Sequence, residues 1–173
     1  SVAKTAQHLA LVYGIDPYKA RVAGILHDWE KVNPLSVQLA RAREFNLDFG
    51  VDLELVGALL HGPIAQRTLA QRYPELGEDV LQAIARHTVA HEQMSDLDKI
   101  VFVADAIEPL RPSAQPLEQL REQVGVVSLD SLFWETFVEG ILYVLSTHRY
   151  LYPRTLEIYN TLVLQRATAK ERA

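Results

Sequence analysis

Five side chains able to hold a metal ion stand at or near the ends of apolar runs in this chain. His27 and Asp28 follow Ala23-Gly24-Ile25-Leu26, and His61 follows Val56-Gly57-Ala58-Leu59-Leu60. His87 follows Leu81-Gln82-Ala83-Ile84-Ala85-Arg86, and Asp105 follows Ile100-Val101-Phe102-Val103-Ala104. An imidazole or carboxylate carried into an apolar environment is costly unless it is hydrogen-bonded, paired or bound to a metal. Taken singly, a histidine at a helix end is an ordinary cap or a solvated side chain, and a His-Asp doublet says little. Jointly the five read as a metal site assembled inside a helical core. Asp105 is the hardest to assign to packing alone. Val101 and Phe102, one turn back, share its helical face, and neither is basic.

Imidazole together with carboxylate suits Mn, Fe, Zn or a similar ion better than Ca or Mg, which prefer oxygen alone. Adjacent residues diverge on a regular helix, but at a helix end His27 and Asp28 can both turn toward one cavity. The two oxygens of Asp28 allow it to bridge two ions. Two ions roughly 3.5–4 Å apart activate a bridging water and clamp the attacking and leaving oxygens of a phosphoryl displacement. His61, His87 and Asp105 would complete the two coordination spheres.

The elements that must position these residues are helical nearly throughout, with apolar residues recurring at three and four. The first helix runs from Val2 to Tyr13 and stops at Gly14. Asp16-Pro17 starts the second, which runs to His27-Asp28. Pro34 opens a third through about Phe45, and Asn46 to Asp52 reads as a loop. A fourth covers Leu53 to Leu60, with His61-Gly62-Pro63 as a break before a fifth from Ile64 to Tyr73. A sixth spans Glu78 to His87. Ser95, with the acid Asp98 three residues on, launches a seventh to about Ile107. Pro109, Pro112 and Pro116 mark a loop before a short helix. Ser128 caps a long helix from Leu129 to about His148, and Pro153 begins the last. No repeat and no β-run is visible, so the expectation is an all-α, single-domain bundle over residues 1–173.

Composition narrows the classes. With 173 residues, 49% hydrophobic and 23% charged, the chain is globular and long enough for a sizeable core. A net charge of -5 argues against a nucleic-acid groove, yet not against a phosphorylated substrate, because a bound dication changes the local field. Cysteine is absent, which excludes disulfides, thiolate ligands and thiol nucleophiles. No apolar run approaches the ~18 residues a membrane span needs, and no signal peptide is visible, so the expected location is the cytoplasm.

The stretches that carry the five residues resemble the HD-domain phosphohydrolase superfamily, and within it the YqeK-type group of bacterial hydrolases. The matching segments are Ala23–Lys31 (Ala-Gly-Ile-Leu-His-Asp-Trp-Glu-Lys), Leu59-Leu60-His61-Gly62-Pro63, Ala85-Arg86-His87-Thr88, Ala104–Arg111 and Tyr152-Pro153-Arg154-Thr155-Leu156-Glu157. They occur in the family's order across most of the chain. The resemblance implies an all-α helical bundle, a dinuclear centre usually occupied by iron, and cleavage of diadenosine tetraphosphate into two ADP. It implies as ligands His27, Asp28, His61, His87 and Asp105, with Asp28 as the bridge. The chain departs from the pattern at its start. The superfamily's first histidine would fall just upstream of Ser1, and His8 lies too far along the first helix to replace it, so the chain is expected either to derive from a longer protein or to have lost one ligand, the start at Ser1 favouring the first.

A polyphosphate substrate calls for cationic partners, Arg as a bidentate one and Lys as a point charge. Lys31, Arg86, Arg111 and Arg154 are the candidates, with Thr88 as a possible hydroxyl donor. Lys31 and Arg111, with Asp28, are also the residues assigned to the catalytic step. Against each stands an ordinary surface role, and Arg154 is as readily paired with Glu157 across one turn. His91 reads as a solvated loop residue and His148 as a cation at a helix end. Trp29 and Trp134 read as core aromatics, although Trp29 could line a base pocket. Leu132, Phe133, Phe137, Ile141 and Val144 form a helical stripe typical of core. Two alternatives remain open: an HD nucleotidase acting on mononucleotides, and an inactive nucleotide-binding HD module. The sequence leaves the oligomeric state open, a homodimer included, and does not choose iron over manganese.

Overall fold

In a computed structural model the chain folds into helices whose ends follow the stop and start residues of the sequence. The structure describes residues 1–112 and 115–171. Among these the α-helices are α1 (Val2–Tyr13), α2 (Pro17–Leu26), α3 (Leu35–Glu44), α4 (His61–Arg72), α5 (Glu78–Arg86), α6 (Asp96–Ile107), α7 (Gln115–Glu122), α8 (Leu129–Ser146) and α9 (Pro153–Glu171). A 3-10 helix, Leu53–Leu59, lies between α3 and α4. There is no strand among the described residues, and the all-α expectation holds.

Gly14, with φ 73° and ψ 28°, adopts the left-handed conformation that ends α1. The Asp16 carboxylate then accepts from the backbone N–H groups of Tyr18 and Lys19, and Pro17 occupies the first helical position of α2. The two helices pack very closely. A Cβ on Gly24 would lie 2.8 Å from Ala3 Cα and 3.3 Å from Ala6 Cβ. Ala6, Ala10, Ala20 and Ala23 are fully buried along this contact and its surroundings.

Helix α6 is the centre of the packing, touching α1, α2, α5, α7 and α8. Leu97, Ile100, Val101, Val103, Ala104 and Ile107 are all buried, an apolar surface most of the way round, as a central helix requires. Its start is held by a reciprocal cap: Ser95 Oγ accepts from the Asp98 N–H and Asp98 Oδ2 from the Ser95 N–H. Asp98 is fully buried and also accepts from Arg86 Nη1 at 2.8 Å and Gln82 Nε2 at 3.0 Å, tying α5 to the first turn of α6. Phe102 on α6 meets Phe133 and Phe137 on α8 at ring distances of 5.3 and 6.2 Å. Ile158 of α9 belongs to the same buried cluster. A smaller cluster of Leu39, Ala42, Val56, Leu60, Ile64 and Tyr152 sits beneath the 3-10 helix. Tyr152 Oη donates to Phe49 O, 3.1 Å away, and anchors that loop.

Four expectations need correction. His61-Gly62-Pro63 is not a break but the first turn of α4. The first four N–H groups of a helix have no intrahelical acceptor, so a proline in that turn forfeits no bond. The expected α-helix before it is instead 3-10, kinked at Val56 with φ -110° and ψ 18°. For the same reason Pro116 lies inside the first turn of α7 rather than in a loop. Helix α8 also ends two residues early, at Ser146, and His148 takes a φ of 54° beyond it.

Gly24→Ala should lower stability by about 1–3 kcal/mol, because backbone of α1 rather than a yielding side chain meets the new methyl. Thermal unfolding followed by circular dichroism reads this. A midpoint equal to that of the unmodified chain would show that α1 and α2 separate freely.

Candidate metal centre

Four helix ends deliver the five side chains to one place. Helix α2 stops at Leu26, yet His27 still donates its N–H to Ala23 O, so His27 and Asp28 leave the helix in a tight turn. His61 is the first residue of α4, His87 the cap of α5, and Asp105 lies in the last turn of α6. Gly62 makes the meeting possible. A Cβ there would stand 3.0 Å from Ile84 O, 3.1 Å from Ala85 O and 3.2 Å from the His87 ring. Its bare Cα lets the start of α4 sit on the end of α5.

The donor atoms converge. His61 Nε2 is 3.1 Å from His87 Nε2 and 3.1 Å from Asp28 Oδ1, and His87 Nε2 is 3.6 Å from the same oxygen. His27 Nε2 lies 3.4 Å from Asp28 Oδ2 and 3.5 Å from Asp105 Oδ1. Two ligands each about 2.0–2.2 Å from one ion must lie about 3–3.5 Å apart, so this spacing fits a metal. His27 Nδ1 faces Gly24 O at 3.0 Å and His87 Nδ1 faces Ile84 O at 2.6 Å. A carbonyl only accepts, so each Nδ1 carries a proton and Nε2 is the nitrogen left to face a metal, the usual support for a metal-binding imidazole. His27 Nε2 and Asp28 Oδ1 are buried without a hydrogen-bond partner, atoms that a cation would satisfy. Among the described residues His27, Asp28 and His87 form a cluster close enough to share one ion.

The electrostatics call for positive charge. Burial opposes protonation of His27, but the Asp105 and Asp28 carboxylates outweigh it and raise its pKa to about 9. Burial would raise Asp28, yet the imidazoles of His27, His61 and His87, together with Lys31, hold it far below the usual carboxylate range. Asp105 is likewise held low against its burial, by His27 and Arg111. Burial pushes His87 down, toward the neutral ring a ligand needs.

A cavity of about 680 Å³ opens onto the cluster, lined among others by His61, His87, Asp105, Lys31, Thr88 and Arg111. Lys31 Nζ pairs with Asp28 Oδ2 at 2.8 Å, and Arg111 donates to Asp105 Oδ1 at 2.8 Å and to Asp105 O at 2.9 Å. Both cations therefore hold a carboxylate while facing the cavity. Thr88 Oγ1 donates to Leu59 O. Arg86 and Arg154 do not line it. The Arg86 guanidinium turns to buried Asp98 and to Gln93 O, and Arg154 pairs with Glu92 at 3.0 Å. Trp29 also lies elsewhere, edge-on to Tyr73 and beneath Arg72.

One residue escaped sequence reasoning. Glu30 is completely buried beside the doublet; its Oε2 takes a hydrogen bond from Asn33 Nδ2 at 2.8 Å and pairs with Arg41 of α3. This network fixes the turn from which His27 and Asp28 project. Its only sequence signal was an acid inside an otherwise assigned motif.

The family model for the HD domain matches residues 1–110, more than half of the chain. The chain is 33% identical over 162 residues to a Staphylococcus aureus protein named bis(5'-nucleosyl)-tetraphosphatase, symmetrical, covering 92% of this chain and 81% of that one. It is 36% identical to a protein of the same name from Halalkalibacterium halodurans, covering 95% and 86%. A crystal structure from Clostridium acetobutylicum, titled a predicted HD superfamily hydrolase involved in NAD metabolism, superposes with a TM-score of 0.83 at 32% identity, covering 95% of this chain and 86% of that one.

The raised His27 pKa gives metal binding a pH signature. Below about 9 the metal-free ring is protonated, whereas a ligand ring is neutral, so binding must expel that proton. Titration of Mn²⁺ into chelator-treated protein near neutral pH should release protons, and affinity should rise as pH approaches 9. Calorimetry in two buffers of different ionisation enthalpy measures the release. Equal heats in both would place His27 outside the coordination sphere.

Proposed function

From the premise that this chain belongs to the HD-domain family, we propose that it is a symmetrical dinucleoside-tetraphosphate phosphohydrolase. The observation that carries this reading is the convergence of three imidazoles and two carboxylates, with unpartnered buried atoms, on the floor of a cavity that also presents Lys31 and Arg111. The reaction is hydrolysis of diadenosine tetraphosphate to two ADP. Oxygen from water bonds to one of the two central phosphorus atoms, the bond from that phosphorus to the central bridging oxygen breaks, and the second ADP leaves with that oxygen.

His27, Asp28, His61, His87 and Asp105 are the proposed ligands of divalent metal. When bound, such a metal supplies Lewis acidity toward phosphoryl oxygens and lowers the pKa of water. We further propose two ions, with iron as occupant. In support, Asp28 places one oxygen among His61 and His87 and the other beside His27, the arrangement a bridging carboxylate needs. The mixed imidazole and carboxylate set suits Fe, Mn and Zn alike, so iron rests on the family resemblance.

The chain's own side chains do the remaining work. Lys31 and Arg111 each keep N–H donors beyond those spent on Asp28 and Asp105, and these face the cavity where non-bridging oxygens gain charge. Both are assigned to positioning and stabilising the phosphate chain. Thr88 offers its hydroxyl oxygen at the same rim. The Glu30–Arg41 pair holds the His27–Asp28 turn against recoil. The enzyme is read as one domain acting in the cytoplasm. Among the described residues no helix is long and apolar enough to cross a membrane.

Asp28→Ala should reduce turnover of diadenosine tetraphosphate by more than about 100-fold, since loss of a residue that merely supports a ligand costs 10–100-fold. Bound metal, measured by elemental analysis, should fall with it while helicity stays unchanged. Near-normal turnover in that variant would sink the metal assignment. A nucleotide panel on the unmodified chain should give ADP as the sole product from diadenosine tetraphosphate. Preferential cleavage of a mononucleotide would replace the substrate but leave the metal centre standing.

A further inference from the structure

The cavity extends well past the metal cluster, and its far side is a wall of helix α8. Thr136, Glu139, Gly140, Tyr143 and Ser146 line it, at steps of three and four that place them on one helix face. Phe102, Leu117 and Leu120 close the apolar remainder. Two features of this wall have no explanation in the fold. Gly140 lies in the interior of an 18-residue helix, where glycine is the poorest former after proline. Its φ is not positive, and a Cβ built on it would meet nothing within 4 Å. Neither backbone conformation nor packing therefore requires glycine at this position.

Glu139 is the second. It is half-buried on this wall, and among the described residues no hydrogen bond or ion pair engages it. An ionised carboxylate only accepts. It repels a phosphate chain, so the part of a nucleotide it suits is the uncharged end that carries O–H and N–H donors. A vicinal diol offers two such donors to its two oxygens. Tyr143, one turn beyond Glu139 and Gly140, offers an aromatic face, with Arg149 Cζ 5.2 Å from its ring centroid.

We propose that this face of α8 is the nucleoside subsite: the ring system lies over the bare backbone of Gly140 against Tyr143, and Glu139 accepts from the ribose hydroxyls. The proposal rests on the nucleotide-hydrolase reading above and deepens it, since it assigns specificity to residues outside the metal cluster. Apolar walls with a few placed polar groups are what a small-molecule compartment needs. A planar base gains most where no side chain stands between it and the helix surface. A site placed to accept a hydrogen bond from a ligand hydroxyl discriminates against an analogue lacking that hydroxyl.

The test compares ADP, 2'-deoxy-ADP and pyrophosphate binding to the metal-loaded full chain by calorimetry. Pyrophosphate reports on the phosphate end alone. Gly140→Leu, a change to a good helix former, should weaken ADP binding at least about tenfold more than pyrophosphate binding. The unmodified chain should favour ADP over 2'-deoxy-ADP by about tenfold or more, and Glu139→Ala should erase that preference. Circular dichroism confirms that each variant is folded, and Glu139→Ala carries the test if Gly140→Leu is not. Equal ADP affinity in folded Gly140→Leu, or an equal loss for ADP and pyrophosphate, overturns the subsite while leaving the hydrolase intact. So does a preference for the ribose that survives Glu139→Ala. An unmodified chain that neither cleaves diadenosine tetraphosphate nor binds ADP overturns the hydrolase reading itself.

Discussion

Everything in this structure answers to the cost of gathering three buried imidazoles and two partly buried carboxylates with neighbouring donor atoms 3.1–3.6 Å apart. His61 Nε2 and His87 Nε2 stand 3.1 Å apart, and the backbone carbonyl behind His87 has already decided that its inner nitrogen is an acceptor. Asp28 and Asp105 flank His27 at 3.4 and 3.5 Å. Without a cation between them these groups compete for protons, which is why His27 rises toward 9 while both carboxylates are driven down. The arrangement is a socket for positive charge, and a proton occupies it only in part.

A socket of this kind would relax outward unless the scaffold prevented it. Buried salt bridges are weak evidence for stability, because desolvation consumes most of their Coulombic gain. Their value here is in direction. Glu30, fully buried, binds Asn33 and Arg41 and so pins the turn that carries His27 and Asp28. Asp98, equally buried, binds Arg86 and Gln82 and so pins the end of α5 that carries His87 to the helix that carries Asp105. Glycine supplies the complementary freedom. Gly62 lets α4 reach the end of α5 and Gly24 lets α1 reach α2, two approaches that a single methyl would obstruct. The ion pairs fix orientation and the glycines fix distance.

This explains which parts of the molecule were legible in the sequence. Polar residues that end apolar runs are a local pattern, so His27, Asp28, His61, His87 and Asp105 were visible together. So were Gly14, Asp16-Pro17 and Ser95, whose caps act within a few residues. The fates of the arginines were not visible, because Arg86 meets Asp98 and Arg154 meets Glu92 across separations that periodicity does not encode. Lys31 and Arg111 reached the cavity because each is tethered to a carboxylate of the cluster only a few residues away. His61-Gly62-Pro63 misled because proline reads as a breaker, while the first turn of a helix has no bond for it to break. Helix α8 was read by its apolar stripe, of which Leu132, Phe133 and Phe137 are indeed buried. That reading says nothing about the residues alongside the stripe that line the cavity, where the informative ones are a glycine and an acid.

The make-up of the cavity points to a division within the chain itself. All five proposed ligands lie inside residues 1–110, the span that the HD-domain model matches. The cavity wall opposite them comes largely from beyond it: Leu117 and Leu120 on α7, then Glu139, Gly140 and Tyr143 on α8. Metal-assisted phosphoryl chemistry makes strict demands on ligand geometry and few on what the phosphate is attached to. Recognition of the attached group makes the opposite demands, and in this reading is met by side chains on α8, a helix that packs on α6. Because Phe102 of α6 packs on Phe133 and Phe137, the recognition wall is held in register with Asp105, three residues further along α6. Substitutions on the cavity wall of α8 can therefore change which nucleotide is held without moving the proposed metal ligands, which is how one catalytic floor can serve different substrates.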